Sequence, residues 1–280
     1  MKKFLVRVAT GAVFAITLLA SILYDKVSFG ILFLLVTILS VNEFCTIVKK
    51  HKGTTFSTWL AMLGGGYLFI ATFIMAFHGA NVSPLTIYSP YIAIVAYIFI
   101  RQLFDTGSKP LDNYAYFTLS QIYVAAPFAL LNILACTGTE AGDAYSWILP
   151  ISVFFFIWCN DTGAFFVGCS IGRHKMFERI SPKKTWEGFF GGAAVAIIAG
   201  IVFSRFFAVM NIWQWIGMAA TVVAAGTLGD LVESSMKREM EIKDSSNILP
   251  GHGGMLDRFD STLLAIPCVL VYLNLIGVLQ

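Results

Sequence analysis

Nine stretches of this chain are apolar for long enough to cross a bilayer, which takes ~20 residues of helix. They cover about 4–24, 27–48, 57–78, 84–104, 115–136, 145–169, 188–210, 213–233 and 259–279. Each is a continuous apolar run. The alternation of inward and outward positions that a lipid-facing β-barrel requires is missing. Backbone N–H and C=O groups in hydrocarbon must then bond within each segment. The predicted fold is therefore all-α, a polytopic integral membrane helical bundle of about nine transmembrane helices. The first stretch follows a basic start, as a secretory leader would, but its apolar run is long and eight more follow it. It reads as a retained first span.

Composition agrees. Of 280 residues, 58% are hydrophobic and only 12% charged, and the mean hydropathy is +0.78. A soluble fold of this length lacks the interior to hide so much hydrocarbon. A soluble enzyme, a disordered chain and a nucleic-acid binder with a basic face are all excluded. The five cysteines form no C-x-x-C pair and lie in or beside apolar runs, so they read as small buried hydrophobes rather than metal ligands or disulfides.

Charge placement orients the bundle. With the N-terminus in the cytoplasm and the chain changing sides at each span, 17 of the 19 lysines and arginines fall inside. Only Lys26 and Arg205 fall outside, the asymmetry that the positive-inside rule requires. The acids divide the chain in another way. Ten of the sixteen carboxylates lie between Asp161 and Asp260. Residues 1–144 thus read as scaffold helices, with Gly64-Gly65-Gly66 allowing close helix approach. Residues 145–280 read as the catalytic region of the same membrane domain. Its chemistry sits near two long cytoplasmic connections, about 170–187 and 234–257.

The densest polar segment is DLVESSMKREMEIKDSSNILPGHGGMLDRFDS, 230–261. If the eighth helix continues through Lys237, then Asp230, Glu233, Ser234 and Lys237 share one face. Asp257, Asp260 and Ser261 repeat the acid-x-x-acid-Ser spacing at the start of the ninth. Four acids on two helix ends repel one another and drift toward protonation unless a cation sits among them. Hard oxygen ligands suit magnesium or calcium. Lys237, Arg238, Lys243 and Arg258 are interleaved with those acids, and the combination fits a polyphosphate. Taken alone, Glu233 and Lys237 read equally well as an i,i+4 surface pair. Gly253 and Gly254 permit close approach of backbone amides to an anion. His252 is open between a phosphate donor and a turn residue.

A second cluster precedes this one. Asp161 lies in NDTGAFFVG (160–168), where an acid in a span is costly unless it has a function. Gly163, Ala164, Gly168 and Gly172 leave room for a helix or a substrate. The connection that follows carries five basic residues. They could bind anionic lipid headgroups generally, or SPKKT (181–185) could direct Lys183 and Lys184 at one phosphate.

These segments together resemble the phosphatidate cytidylyltransferases, also called CDP-diacylglycerol synthases. The resemblance rests on Ser235, Lys237-Arg238, Lys243-Asp244, His252-Gly253-Gly254, Asp257-Arg258 and Asp260. Asp230, Glu233 and Ser234 precede them, and SPKKTWEG and NDTGAFFVG also look like family segments. It implies a nucleotidyltransferase of phospholipid biosynthesis that takes CTP and phosphatidate to CDP-diacylglycerol and pyrophosphate with magnesium. It would act at the cytoplasmic side of the inner membrane, among membrane lipid. By match to the family's acids, Asp230 and Asp257 would be metal ligands, with Asp161, Glu233, Asp244 and Asp260 as further ligands or neighbours. Lys237, Arg238, Lys243, Arg258, Lys183 and Lys184 would contact phosphates. Ser234, Ser235, Gly253, Gly254 and Ser261 would lie in the substrate site, and His252 with the catalytic group. The resemblance also implies that the chain can form a homodimer and that potassium can share the carboxylates.

Two other readings use the same acids. An ion-coupled transporter accounts for intramembrane carboxylates but not for the glycines and basic residues clustered with them, and no internal repeat is evident. A CDP-alcohol phosphotransferase would carry Asp-Gly-x-x-Ala-Arg followed by Gly-x-x-x-Asp-x-x-x-Asp, a series this chain lacks.

Overall fold

The computed structural model describes residues 2–78, 82–105, 109–137, 145–246, 248, 251 and 253–279. Among them, helices follow the nine predicted stretches: α1 (Lys2–Tyr24), α2 (Lys26–Lys52), α3 (Thr58–His78), α4 (Pro84–Gln102), α5 (Pro110–Leu119) running through a π-helical turn into α6 (Ala126–Cys136), α7 (Ile148–Ile171), α8 (Trp186–Phe206), α9 (Ile212–Glu239) and α10 (Leu256–Leu275). Seven of these segments are long and apolar enough to cross a membrane: α2, α3, α4, the α5–α6 rod, α7, α8 and α9. The chain is a multi-pass membrane protein. One small element was not foreseen. Strands β1 (Lys175–Phe177) and β2 (Ser181–Thr185) pair antiparallel in the 170–187 connection.

The chain folds as two compact units. One holds Met1–Cys136 with Ile242–Arg258, the other Thr137–Glu241 with Phe259–Gln280. In the first unit the glycine run acts as expected. A Cβ on Gly65 would stand 3.0 Å from the Ala125 side chain and 3.1 Å from that of Val41. The absence of Cβ atoms lets α3 lie against α2 and the π turn. Buried amides bind the helices further: Gln121 Nε2 donates to Ala61 O at 3.1 Å, and Asn132 Nδ2 donates to Phe69 O at 3.2 Å. The π turn has a cause in sequence. In an α-helix the Pro127 ring would crowd the Tyr123 carbonyl. Here the Ala126 N–H bonds Gln121 O, five residues back, and the widened turn accommodates the ring.

In the second unit a glycine seam joins α7 to α8. A Cβ on Gly163 would stand 3.0 Å from Gly192 Cα, and one on Gly188 would stand 2.9 Å from Ala164 O. The small residues of NDTGAFFVG thus receive a helix, one of their two expected uses. Outward faces stay apolar, as lipid contact demands, with Phe165, Phe166 and Phe190 all more than 60% exposed. The cysteines depart from expectation: Cys45 is buried, but Cys169 and Cys268 are exposed, because they fall on the outward faces of their helices.

Candidate active site

The hairpin places the lysines of SPKKT. Its base is closed by Trp186 N–H donating to His174 O at 3.0 Å. Glu187 then accepts from the amides of Arg173 and His174, each at 3.2 Å, and meets His174 Nδ1 at 2.5 Å. Thr185 caps α8, its Oγ1 accepting from Gly188 N–H at 3.2 Å. Arg238, near the end of α9, donates from Nε to Ile180 O in the hairpin turn at 3.4 Å.

So held, Lys184 reaches α9. Its Nζ lies 2.7 Å from Asp230 Oδ2 and 3.4 Å from Thr227 O. The other Asp230 oxygen accepts from Ser234 Oγ at 3.1 Å. The helix does continue past Lys237, so the predicted face forms. Lys237 Nζ is 2.9 Å from Glu233 Oε1, with side-chain exposures of 15% and 2%, so the i,i+4 pair lies inside the bundle rather than on its surface. Gly229 lets α10 approach: a Cβ there would stand 2.7 Å from Asp260 O. At that crossing Asp260 experiences the charges of Asp230, Asp161 and Lys237.

Beside this cluster is a cavity of about 210 Å³. Its lining includes the polar Asn160, Asp161, Lys183, Lys184 and Ser261 and the aromatic Phe165 and Phe189. Asn160 Oδ1 is buried there and accepts no hydrogen bond. Asp260, which experiences the charges of Asp230 and Asp161, and the unsatisfied amide oxygen of Asn160 are the right kind of donor for a hard divalent cation. Among the described residues, however, no three of His, Cys, Asp or Glu are gathered closely enough to hold a metal.

Asp257 has different company, within the first unit. Its Oδ2 accepts from Ser245 N–H at 2.8 Å, Ser245 Oγ at 2.9 Å and Gly254 N–H at 2.9 Å. The acid-x-x-acid-Ser spacing therefore recurs in sequence without repeating the contacts: Asp230 meets a lysine, and Asp257 closes its own loop. Gly253 stands at φ +88°, a left-handed conformation that explains a glycine there. Next to it, a Cβ on Gly254 would overlap Ser245 Oγ and come within 2.6 Å of Glu43 Oε2. The amides near Gly254 do approach an anion, and that anion is protein carboxylate. Lys243, Asp244 and Arg258 are exposed and Ser235 is half-buried. His252 lies outside the described residues.

Sequence reasoning missed Glu43, Ser245, Ser246 and Asn160. Glu43 carried a usable signal, an acid inside an apolar run, which is the argument that singled out Asp161.

The Cytidylyltransferase family model matches residues 5–276. The phosphatidate cytidylyltransferase of Bacillus subtilis (strain 168) is 30% identical over 269 residues, 93% of this chain and 94% of that protein. That of Staphylococcus haemolyticus (strain JCSC1435) is 46% identical over 183 residues, 65% of this chain and 68% of that one. For Staphylococcus epidermidis (strain ATCC 12228 / FDA PCI 1200) the figure is 46% over 121 residues, 43% of this chain and 46% of the relative. With the family pattern running nearly end to end over a helical membrane fold, this chain belongs to the cytidylyltransferase family.

Proposed function

We propose that this protein is a phosphatidate cytidylyltransferase, an enzyme that makes CDP-diacylglycerol and pyrophosphate from CTP and phosphatidate. The observation that carries the reading is the cavity lined by Asp161, Lys183 and Lys184 together with the aromatic rings of Phe165 and Phe189, of which Phe165 is also exposed at the surface. Such a pocket suits a phosphate monoester carrying acyl chains. A phosphatidate oxygen bonds to the α-phosphorus of CTP as the bond from that phosphorus to the β-bridging oxygen breaks. Pyrophosphate leaves with the electron pair. The attacking phosphate is already anionic, so no general base is needed, and catalysis is mainly positioning and charge stabilisation.

In this scheme Lys183 and Lys184 draw the lipid phosphate into the cavity. No three acids among the described residues are close enough to hold magnesium by themselves, so Asp161, Asp230 and Asp260, with Asn160 Oδ1, would share the ion with the phosphate oxygens of CTP, and it would supply positive charge to the departing pyrophosphate. Arg238 steadies the hairpin carrying the lysines, while Glu233 holds Lys237 in place. The same proposal puts the site on the cytoplasmic side, which the distribution of basic residues supports, and includes a homodimer and a shared potassium ion.

The test uses purified protein in detergent with phosphatidate, magnesium and α-labelled CTP. Label should enter the lipid phase and vanish with EDTA or Asp230→Asn. Failure to label lipid with any divalent ion would overturn the assignment. Lys183→Cys should react with an impermeant thiol reagent only from the cytoplasmic side. Native mass in detergent and exchange of potassium for sodium test the dimer and the second cation.

A further inference from the structure

Glu43 sits in α2 with apolar sequence on both sides and is 3% exposed. A carboxylate buried at that depth is costly unless donors surround it. Four donors do, all from the segment around residues 245–256 of the same unit. Oε1 accepts from Ser246 Oγ at 2.6 Å and Met255 N–H at 2.8 Å; Oε2 accepts from Ser245 Oγ at 3.1 Å and Leu256 N–H at 2.8 Å. Each oxygen takes one hydroxyl and one backbone amide. The two amides belong to the start of α10, where an anion is favoured by the helix dipole.

The network extends to Asp257 through Ser245. That hydroxyl lies 3.1 Å from Glu43 and 2.9 Å from Asp257 Oδ2, and it has a single proton to share between them. The Ser245 amide and the Gly254 amide complete the clamp on Asp257. Loop, helix start and Asp257 are thus referred to one carboxylate more than 200 residues upstream.

We infer that Glu43 is a positioning residue: it anchors Ser245, Ser246 and the first turn of α10 and, through Ser245, fixes the orientation of Asp257. This rests on the cytidylyltransferase reading for its consequence in catalysis, but the anchoring itself can be measured without substrate. Glu43→Gln keeps the size of the side chain and replaces one acceptor oxygen with a donor. Ser246→Ala removes a single hydrogen bond to Oε1.

The experiment pairs amide hydrogen exchange, on the full chain in detergent without metal or nucleotide, with steady-state kinetics. In Glu43→Gln, exchange at 245 and 254–256 should accelerate about tenfold or more while α3 and α8 keep their protection. With CTP and phosphatidate, kcat should fall about 10²-fold, as expected for misplacement on the 1 Å scale, with KM for CTP moving far less. Ser246→Ala should show the same pattern, weaker. Unchanged exchange at 254–256 overturns the anchor, and faster exchange with unchanged kcat overturns the positioning role. If Glu43→Gln loses protection everywhere, Ser246→Ala decides by the same criteria. A wild-type protein with no activity refutes the enzymatic reading, and the exchange data still decide the anchor.

Discussion

Lys184 Nζ lies 2.7 Å from Asp230 Oδ2, which joins the hairpin to the ninth labelled helix through a charge pair. Both side chains are about a third exposed or less, so water and ions reach the pair. Its value therefore lies in what it orients rather than in the stability it adds, since partly exposed pairs contribute about 0–1 kcal/mol.

Lys184→Met should accordingly leave the melting temperature within a few degrees of wild type. It should raise KM for phosphatidate and lower kcat/KM about tenfold or more, because a charge-assisted contact to phosphate is lost. Initial rates over a phosphatidate series in mixed micelles measure this. An unchanged KM would remove Lys184 from the lipid phosphate.

Gly254→Ala tests the crowding around Asp257. Gly254 is not among the positive-φ glycines, so the obstacle is space: the new methyl would meet Ser245 Oγ and the Glu43 carboxylate. Overpacking of this kind costs about 1–3 kcal/mol. Activity should be lost, with faster proteolysis between 242 and 258 as the companion signal.

At the α7–α8 seam, a Cβ on Gly192 would lie 2.5 Å from both the backbone and side-chain oxygens of Asn160. A backbone carbonyl inside a helix cannot yield, so Gly192→Ala should destabilise the second unit by about 1–3 kcal/mol. A thermal melt in detergent would show it. Displacement of Asn160 should also raise the magnesium concentration needed for half-maximal rate.

Thr185→Val removes the side-chain acceptor for the Gly188 amide while keeping side-chain volume. The loss of a helix cap costs about 1 kcal/mol. Hydrogen exchange at Gly188 should rise, and activity should fall only modestly, since Glu187 still ties the hairpin base.

The legible part of this structure was the part governed by one-dimensional rules. Bilayer thickness fixes the length of an apolar run, so helices α1 to α10 follow the hydropathy within a few residues. Glycine spacing gave the seams, and helical periodicity gave the shared face of Asp230 and Ser234. The hairpin escaped because SPKKT lacks an alternating pattern, and its pairing depends on a turn bonded to Arg238. The π turn required asking what Pro127 does to the carbonyl four residues back. Asp257 stood out in the sequence as an acid at a helix start, but its partners did not, because its local spacing repeats that of Asp230. Glu43 lay in plain view as a carboxylate in an apolar run. Its donors are separated from it by most of the chain, and spacing rules do not reach that far.

That separation orders events during synthesis. Glu43 enters the membrane with the second helix, while the amides of Met255 and Leu256 are made 212 and 213 residues later. For most of translation the acid lacks its final donors, and the nascent span must carry it without them. The first unit cannot complete its interior until the last helix begins to form. A ribosome stalled before that point would hold a chain with the earlier spans made and no finished loop, so this unit matures only once Met255 and Leu256 have joined it.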